Sequence, residues 1–149
     1  MPLLSALLVL IALVALATGL GLLWRRADGR AKSTASTHEV VAPQDVAHDG
    51  GFGERATLLQ FSTEYCARCP ATRRLLGDLA KRTDGVEHVD VDLTDAPGLA
   101  RRFQVLQTPT TLLLDGHGVV RARISGAPRP AELERSLKRI LNGEDHVAA

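Results

Sequence analysis

Apolar and polar positions are spread unevenly along the chain. Leu3 to Trp24 (LLSALLVLIALVALATGLGLLW) carries no charged side chain. About 22 such residues suffice to cross a hydrocarbon core of roughly 30 Å, so one transmembrane helix is expected over 3–24. A cleaved signal sequence is the alternative. It calls for a basic start, a shorter apolar core and a small-residue cleavage site, whereas this run is long, has no Lys or Arg before it and stops at Trp24-Arg25-Arg26. Retention as an anchor is therefore expected, with Trp24 at the interface beside two arginines that reach the headgroups. Residues 25–38 are small and polar without apolar periodicity, and read as a flexible linker.

From Glu39 the pattern becomes that of an alternating α/β domain over 39–143, firm from residue 56 and followed by a disordered tail at 144–149. Glu39 to Gly53 is ambiguous: Val40-Val41 fits a short strand and Pro43 to Ala47 a helical turn, ahead of a bend at Gly50, Gly51 and Gly53. Thr57 to Phe61 (TLLQF) fits a buried central strand. Ala71 to Arg82 gathers Leu75, Leu76 and Leu79 on one face and sets most of its charges on the other, which predicts an amphipathic helix. Val86 to Leu93 alternates as a strand, and Asp95 to Phe103 is a short helix with Pro97 in its first turn. Thr110 to Leu114 and Val119 to Ile124 are strands joined by the turn Asp115-Gly116-His117-Gly118. Arg129 to Leu141 closes the domain as a helix with the stripe Leu133, Leu137, Ile140, Leu141. The expected order is β, α, β, α, β, β, α.

The hydrophobic content of 45 % is inflated by the N-terminal run and says little about the core. A net charge of +1 gives no reason to expect a nucleic-acid partner. Basic residues cluster at 25–32, 68–82 and 135–139; the last two clusters lie on predicted helices and read as solvated faces. The first flanks the apolar run, whose other side offers only the α-amino group. Arg25, Arg26, Arg30 and Lys32 against Asp28 place the domain in the cytoplasm by the positive-inside rule, with extracytoplasmic placement as the alternative.

The chain has two cysteines, too few for a disulfide scaffold. Cys66 and Cys69 stand two residues apart in FSTEYCARCP, between a predicted strand and a predicted helix. A helix beginning at Cys66 would offer its thiol unpaired N–H groups and the positive end of the dipole, favouring the thiolate, and Arg68 would push the same way. Cys66 is therefore expected to titrate well below the free-thiol value of about 8.5, with Arg68 as the tuning residue. Zinc is a rival use of the pair, but four ligands are needed and His38, His48, His88, His117 and His146 fall at no ligand spacing. No metal and no other cofactor is called for. A non-catalytic adaptor, with incidental cysteines, is a further rival.

Proline entering a central strand is disfavoured, so Thr108-Pro109 ahead of TTLLL needs its own explanation. Here the chain resembles the thioredoxin family, over roughly residues 56–142. The resemblance rests on Cys66 and Cys69, Thr108-Pro109 about forty residues on, the hairpin turn and Gly126. It implies a thioredoxin-like central mixed sheet flanked by helices, here preceded by one transmembrane helix. It also implies a cis Thr108–Pro109 bond, and disulfide exchange with protein substrates in which Cys66 attacks and Cys69 resolves. Tyr65, Thr108 and Pro109 would contact substrate, and an upstream thiol reductant or redox partner would reset the pair. The membrane would be met through residues 3–24.

Three positions depart from the family pattern. Tyr65 stands where many members have Trp, and as an aromatic is expected to shield the sulfur. Gln60 stands where many bury an Asp that moves protons for the resolving cysteine. An amide cannot act as that base, and Glu64, the nearest carboxylate in sequence, reads as a solvated surface residue. Pro70, directly after Cys69, is expected to distort the helix start. The direction of exchange stays open, with a reductase expected in the cytoplasm and an oxidant or donor to secreted clients across the membrane.

Overall fold

The structure is a computed structural model of the chain that describes residues 2–27, 31–33 and 39–144. The expected tail beyond 144, most of the expected linker and the side chains of Trp24, Arg25 and Arg26 lie outside what it describes. Helix α1 spans Pro2–Ala27. Within it Ser5–Leu23 is long and apolar enough to cross a membrane, a property a signal sequence near an N-terminus shares. Its large apolar side chains from Leu7 to Leu23 are 53–62 % exposed, as suits a helix whose covering is not supplied by the chain itself. Thr18 returns its hydroxyl to the Val14 carbonyl at 2.7 Å, so its O–H is satisfied inside the helix.

Among the described residues the domain is built on five strands: β1 Ala31–Ser33, β2 Ala56–Ser62, β3 Val86–Asp92, β4 Thr110–Asp115 and β5 Val120–Ser125. They lie in the order β1-β5-β4-β2-β3. Only β2 and β3 run parallel, with Gln60 opposite Asp90; β4 is antiparallel to β2, with Gln60 opposite Thr111. β1 corrects the expected linker, for Ala31 pairs with Ile124 and Ser33 with Ala122. An edge strand needs main-chain bonds on one side only, so a segment with no apolar alternation can supply it.

Every residue of β2 is buried, because β3 and β4 flank it and both sheet faces are covered. One face carries α2 (Cys69–Lys81) and α4 (Pro130–Leu141), with Leu58 and Leu113 packed beneath Leu76, Leu79, Leu133, Leu137 and Ile140. The other carries the 3-10 turn Pro43–Val46 and α3 (Pro97–Arg102), packed over Leu59, Phe61, Leu112 and Leu114. Phe61 and Phe103 meet there at 5.2 Å between ring centroids. The element order from β2 onward is the expected one, with α3 shorter than expected.

The β4–β5 hairpin closes one end of the sheet. Asp115 accepts the N–H groups of His117 at 2.9 Å and Val119 at 3.0 Å on one oxygen, and Arg121 Nε at 2.7 Å on the other. Gly118 takes φ +76°, where a Cβ would sit 2.4 Å from the Val41 carbonyl oxygen. Only glycine fits that turn. The CxxC pair lies at the opposite end.

Candidate active site

β2 delivers the chain to the thiol pair. After Ser62 the strand gives way to a turn in which Cys66 N–H donates to Thr63 O and Cys69 N–H to Cys66 O, each at 3.2 Å. This turn brings the two Cα atoms to 5.4 Å, within disulfide range, and Cys66 and Cys69 are joined by a disulfide. Their surroundings differ. Cys66 is partly exposed, whereas Cys69 is 1 % exposed, on the inner side of α2.

The start of α2 corrects two expectations. The helix begins at Cys69, with Arg68 as its N-cap, so Cys66 precedes the helix rather than opening it. Cys69 N–H is spent on the Cys66 carbonyl and Pro70 has none, which leaves fewer first-turn donors facing outward than a helix start at Cys66 would give. Pro70 also causes no break in the helical ladder, since its missing N–H belongs to the first turn and Thr72 N–H bonds regularly to Arg68 O at 3.1 Å. Arg68 is exposed and makes no ion pair among the described residues.

Tyr65 is 87 % exposed. A ring with so little surface in contact is not packed over the sulfur as expected. A hydrogen bond from its phenol to the Glu64 side chain raises the tyrosine above its ordinary range. Glu64 is itself exposed, and its N–H donates to Thr94 Oγ1 at 3.0 Å.

The Thr108–Pro109 bond is cis. The loop bearing it is tied to the thiol turn by the Thr63 and Thr108 hydroxyls, 3.3 Å apart, and to the end of β5 by Gly126 N–H on the Pro109 carbonyl at 2.8 Å. The N–H and C=O of Thr108 itself bond to nothing among the described residues. Two residues before it, Leu106 is 96 % exposed, a large apolar side chain at the same end as Tyr65. Sequence reading missed Leu106, because one apolar residue in a loop carries no periodic signal.

Beneath α2, a polar row crosses three neighbouring strands: Thr111 on β4, Gln60 on β2 and Asp90 on the edge strand β3, with His88 one step along β3. Gln60 is fully buried. Its Nε2 donates to the Cys69 carbonyl at 3.3 Å, and its Oε1 lies 3.2 Å from His88 Nε2. Arg73 of α2 pairs with Asp90. Burial holds the His88 imidazolium down, Asp90 offsetting this in part and Arg73 adding to it, so the ring loses its proton below the ordinary histidine range. The sequence did carry a signal for His88. In VEHVDVDL the polar residues 88, 90 and 92 fall on the face that a helix covers.

A family model, Thioredoxin, matches residues 43–139. Among curated proteins the chain is 31 % identical over 121 residues to a bifunctional thioredoxin reductase/thioredoxin of Mycobacterium leprae, covering 79 % of this chain and 26 % of that protein. It is 32 % identical over 90 residues to a thioredoxin of Mycolicibacterium smegmatis, covering 58 % of this chain and 80 % of that one. This chain thus spans about a quarter of the first relative and most of the second. Among solved structures it is similar to the thioredoxin of Fasciola hepatica, with TM-score 0.50 at 25 % identity over 58 % of this chain and 82 % of that one.

Proposed function

The chain belongs to the thioredoxin family and is a thiol–disulfide oxidoreductase, and we propose that it is a membrane-tethered reductase of protein disulfides working through Cys66 and Cys69. The observation that carries the division of labour is the unequal exposure of the two sulfur-bearing residues, Cys66 partly exposed and Cys69 buried.

In the reduced protein the Cys66 thiolate attacks one sulfur of a substrate disulfide, forming a mixed disulfide and releasing the first substrate thiolate. Cys69, freed of its proton, attacks Cys66 Sγ. The Cys66–Cys69 bond forms, the bond to substrate breaks, and the second substrate thiolate leaves and takes up a proton. Two electrons have passed from protein to substrate, and a dithiol reductant must return them. The M. leprae relative, named for both thioredoxin reductase and thioredoxin, supports a thioredoxin reductase in that role.

Tyr65 and Leu106 supply apolar contact for the substrate chain beside the sulfur. Thr108, whose main chain is unpaired, supplies hydrogen bonds, and Pro109 holds that loop against the turn. Arg68 stabilises the Cys66 thiolate by its charge.

Residues 3–24 anchor the domain, and the basic flank at 25–32 supports a cytoplasmic domain fed by cellular reductants. Carbonate-resistant membrane association of the full-length chain is expected. Release of a shortened chain would make the segment a signal sequence. Cysteine labelling of intact cells tests the orientation, and ready labelling from outside would reverse it. For the chemistry, insulin reduction driven by dithiothreitol should be catalysed by the wild type and lost in Cys66→Ser. No turnover in either would leave an anchored adaptor that binds a partner around Tyr65 and Pro109.

A further inference from the structure

The group bonded to the main chain of the resolving cysteine is an amide, with an imidazole in series behind it. Gln60, fully buried, faces the Cys69 carbonyl on one side and His88 on the other. The carbonyl accepts only, so the Gln60 NH₂ group points to it and the Gln60 oxygen points to His88. His88 must then donate, which places a proton on Nε2 and, in the neutral ring, leaves Nδ1 unprotonated. Nδ1 lies on the Gly77 side, where a Cβ built on that glycine would come to 3.7 Å.

We propose that His88 is a positioning residue for Cys69: it fixes Gln60 on the Cys69 carbonyl, and its protonation state is felt at the resolving thiol through that bridge. The proposal rests on the assignment of Cys69 as the resolving cysteine. The groups facing the ring are few. β2 offers the neutral Gln60, β3 offers Asp90, and α2 offers Arg73, which is paired to that carboxylate. The ring is therefore the group beside the bridge that changes charge near neutrality, and burial lowers the pH at which it does so.

His88 does not take the Cys69 proton, which passes to water or to the departing substrate thiolate. Its effect is electrostatic and geometric. When Nδ1 gains a proton on acidification, below the ordinary histidine range, the imidazolium favours the Cys69 thiolate, and the loss of resolving rate toward acid becomes shallower there.

The test uses the full-length chain in detergent and Ellman's reagent. Cys66 releases one thionitrobenzoate on forming the mixed disulfide, and Cys69 releases the second on resolving it. The second phase is followed from pH 5 to 8 in wild type, His88→Gln and His88→Leu, with thermal melting to confirm folding. Glutamine places a donor near the position of Nε2 but does not titrate. His88→Gln should keep a near-wild-type rate at pH 8 and lose the inflection. His88→Leu should lose the inflection and resolve about three- to tenfold more slowly at pH 8, the effect of one lost positioning hydrogen bond. An inflection that persists in His88→Gln, or a wild-type rate at pH 8 in His88→Leu, overturns the proposal. Cys69→Ser separates the two levels: if it still releases the second thionitrobenzoate at the wild-type rate, the assignment of Cys69 itself fails.

Discussion

The two ends of the central sheet solve opposite problems. At the hairpin end, Asp115 is 4 % exposed and both of its oxygens are used, by His117 N–H, Val119 N–H and Arg121. At the cysteine end, Thr108 keeps an unpaired main chain, and Tyr65 and Leu106 stand in solvent at 87 % and 96 % exposure. Completing every bond fixes a turn and leaves nothing for a ligand. Leaving main-chain groups and apolar surface unfinished costs local stability and provides a place for a substrate to finish them. Changes at the hairpin end should therefore be read in melting curves, and changes at the cysteine end in rates.

The sharpest break of this contrast is Cys66→Ser, which should bring disulfide reduction to background while the reduced variant melts within a degree or two of reduced wild type. Next is Asp115→Ala. Removing one partner of a largely buried ion pair and two turn hydrogen bonds should cost about 2–4 kcal/mol in denaturant unfolding, with activity intact below the melting point. The pH dependence has a fixed sign. Burial raises the Asp115 carboxyl, but Arg121 and the two N–H groups more than offset this and leave it below its ordinary range. Its contribution should be complete above the unfolded value of about 3.9 and vanish as pH falls through the lower folded one, so Asp115→Asn should flatten the acid limb of stability against pH.

Smaller effects belong to the exposed residues. Tyr65→Ala and Leu106→Ser should each lower kcat/KM for a protein disulfide several-fold, while changing stability by less than about 0.5 kcal/mol. A matching loss toward a small disulfide such as Ellman's reagent would show that they act on the sulfur rather than on substrate chain. Arg68→Ala should move the midpoint of Cys66 alkylation against pH upward, and an unmoved midpoint would remove Arg68 from the account.

Much of this was legible in the sequence where burial imposes a period. TLLQF, the leucines of α2, the stripe of α4 and the Asp115 to Gly118 turn each announce their element, because a half-buried helix or a tight turn restricts which residues fit. β1 was not legible: Ala31, Lys32 and Ser33 pair through main chain alone, which side-chain pattern does not record. The apolar pattern of α2 begins only at Ala71, and its true start at Cys69 follows a turn closed by the Cys66 carbonyl, again main chain. The cysteines were identified from their own spacing. The partnership of Gln60 with His88 needed the β2–β3 register, which sets residues 28 apart in sequence within hydrogen-bond reach.

That the partly exposed Cys66 attacks and the buried Cys69 resolves is tested most directly by trapping the intermediate. Reduced Cys69→Ser incubated with a disulfide-bonded protein substrate should accumulate a one-to-one mixed disulfide, and mass spectrometry of its peptides should place the link at Cys66. A substrate adduct on Cys69 in the Cys66→Ser variant, with none on Cys66 in Cys69→Ser, would contradict it.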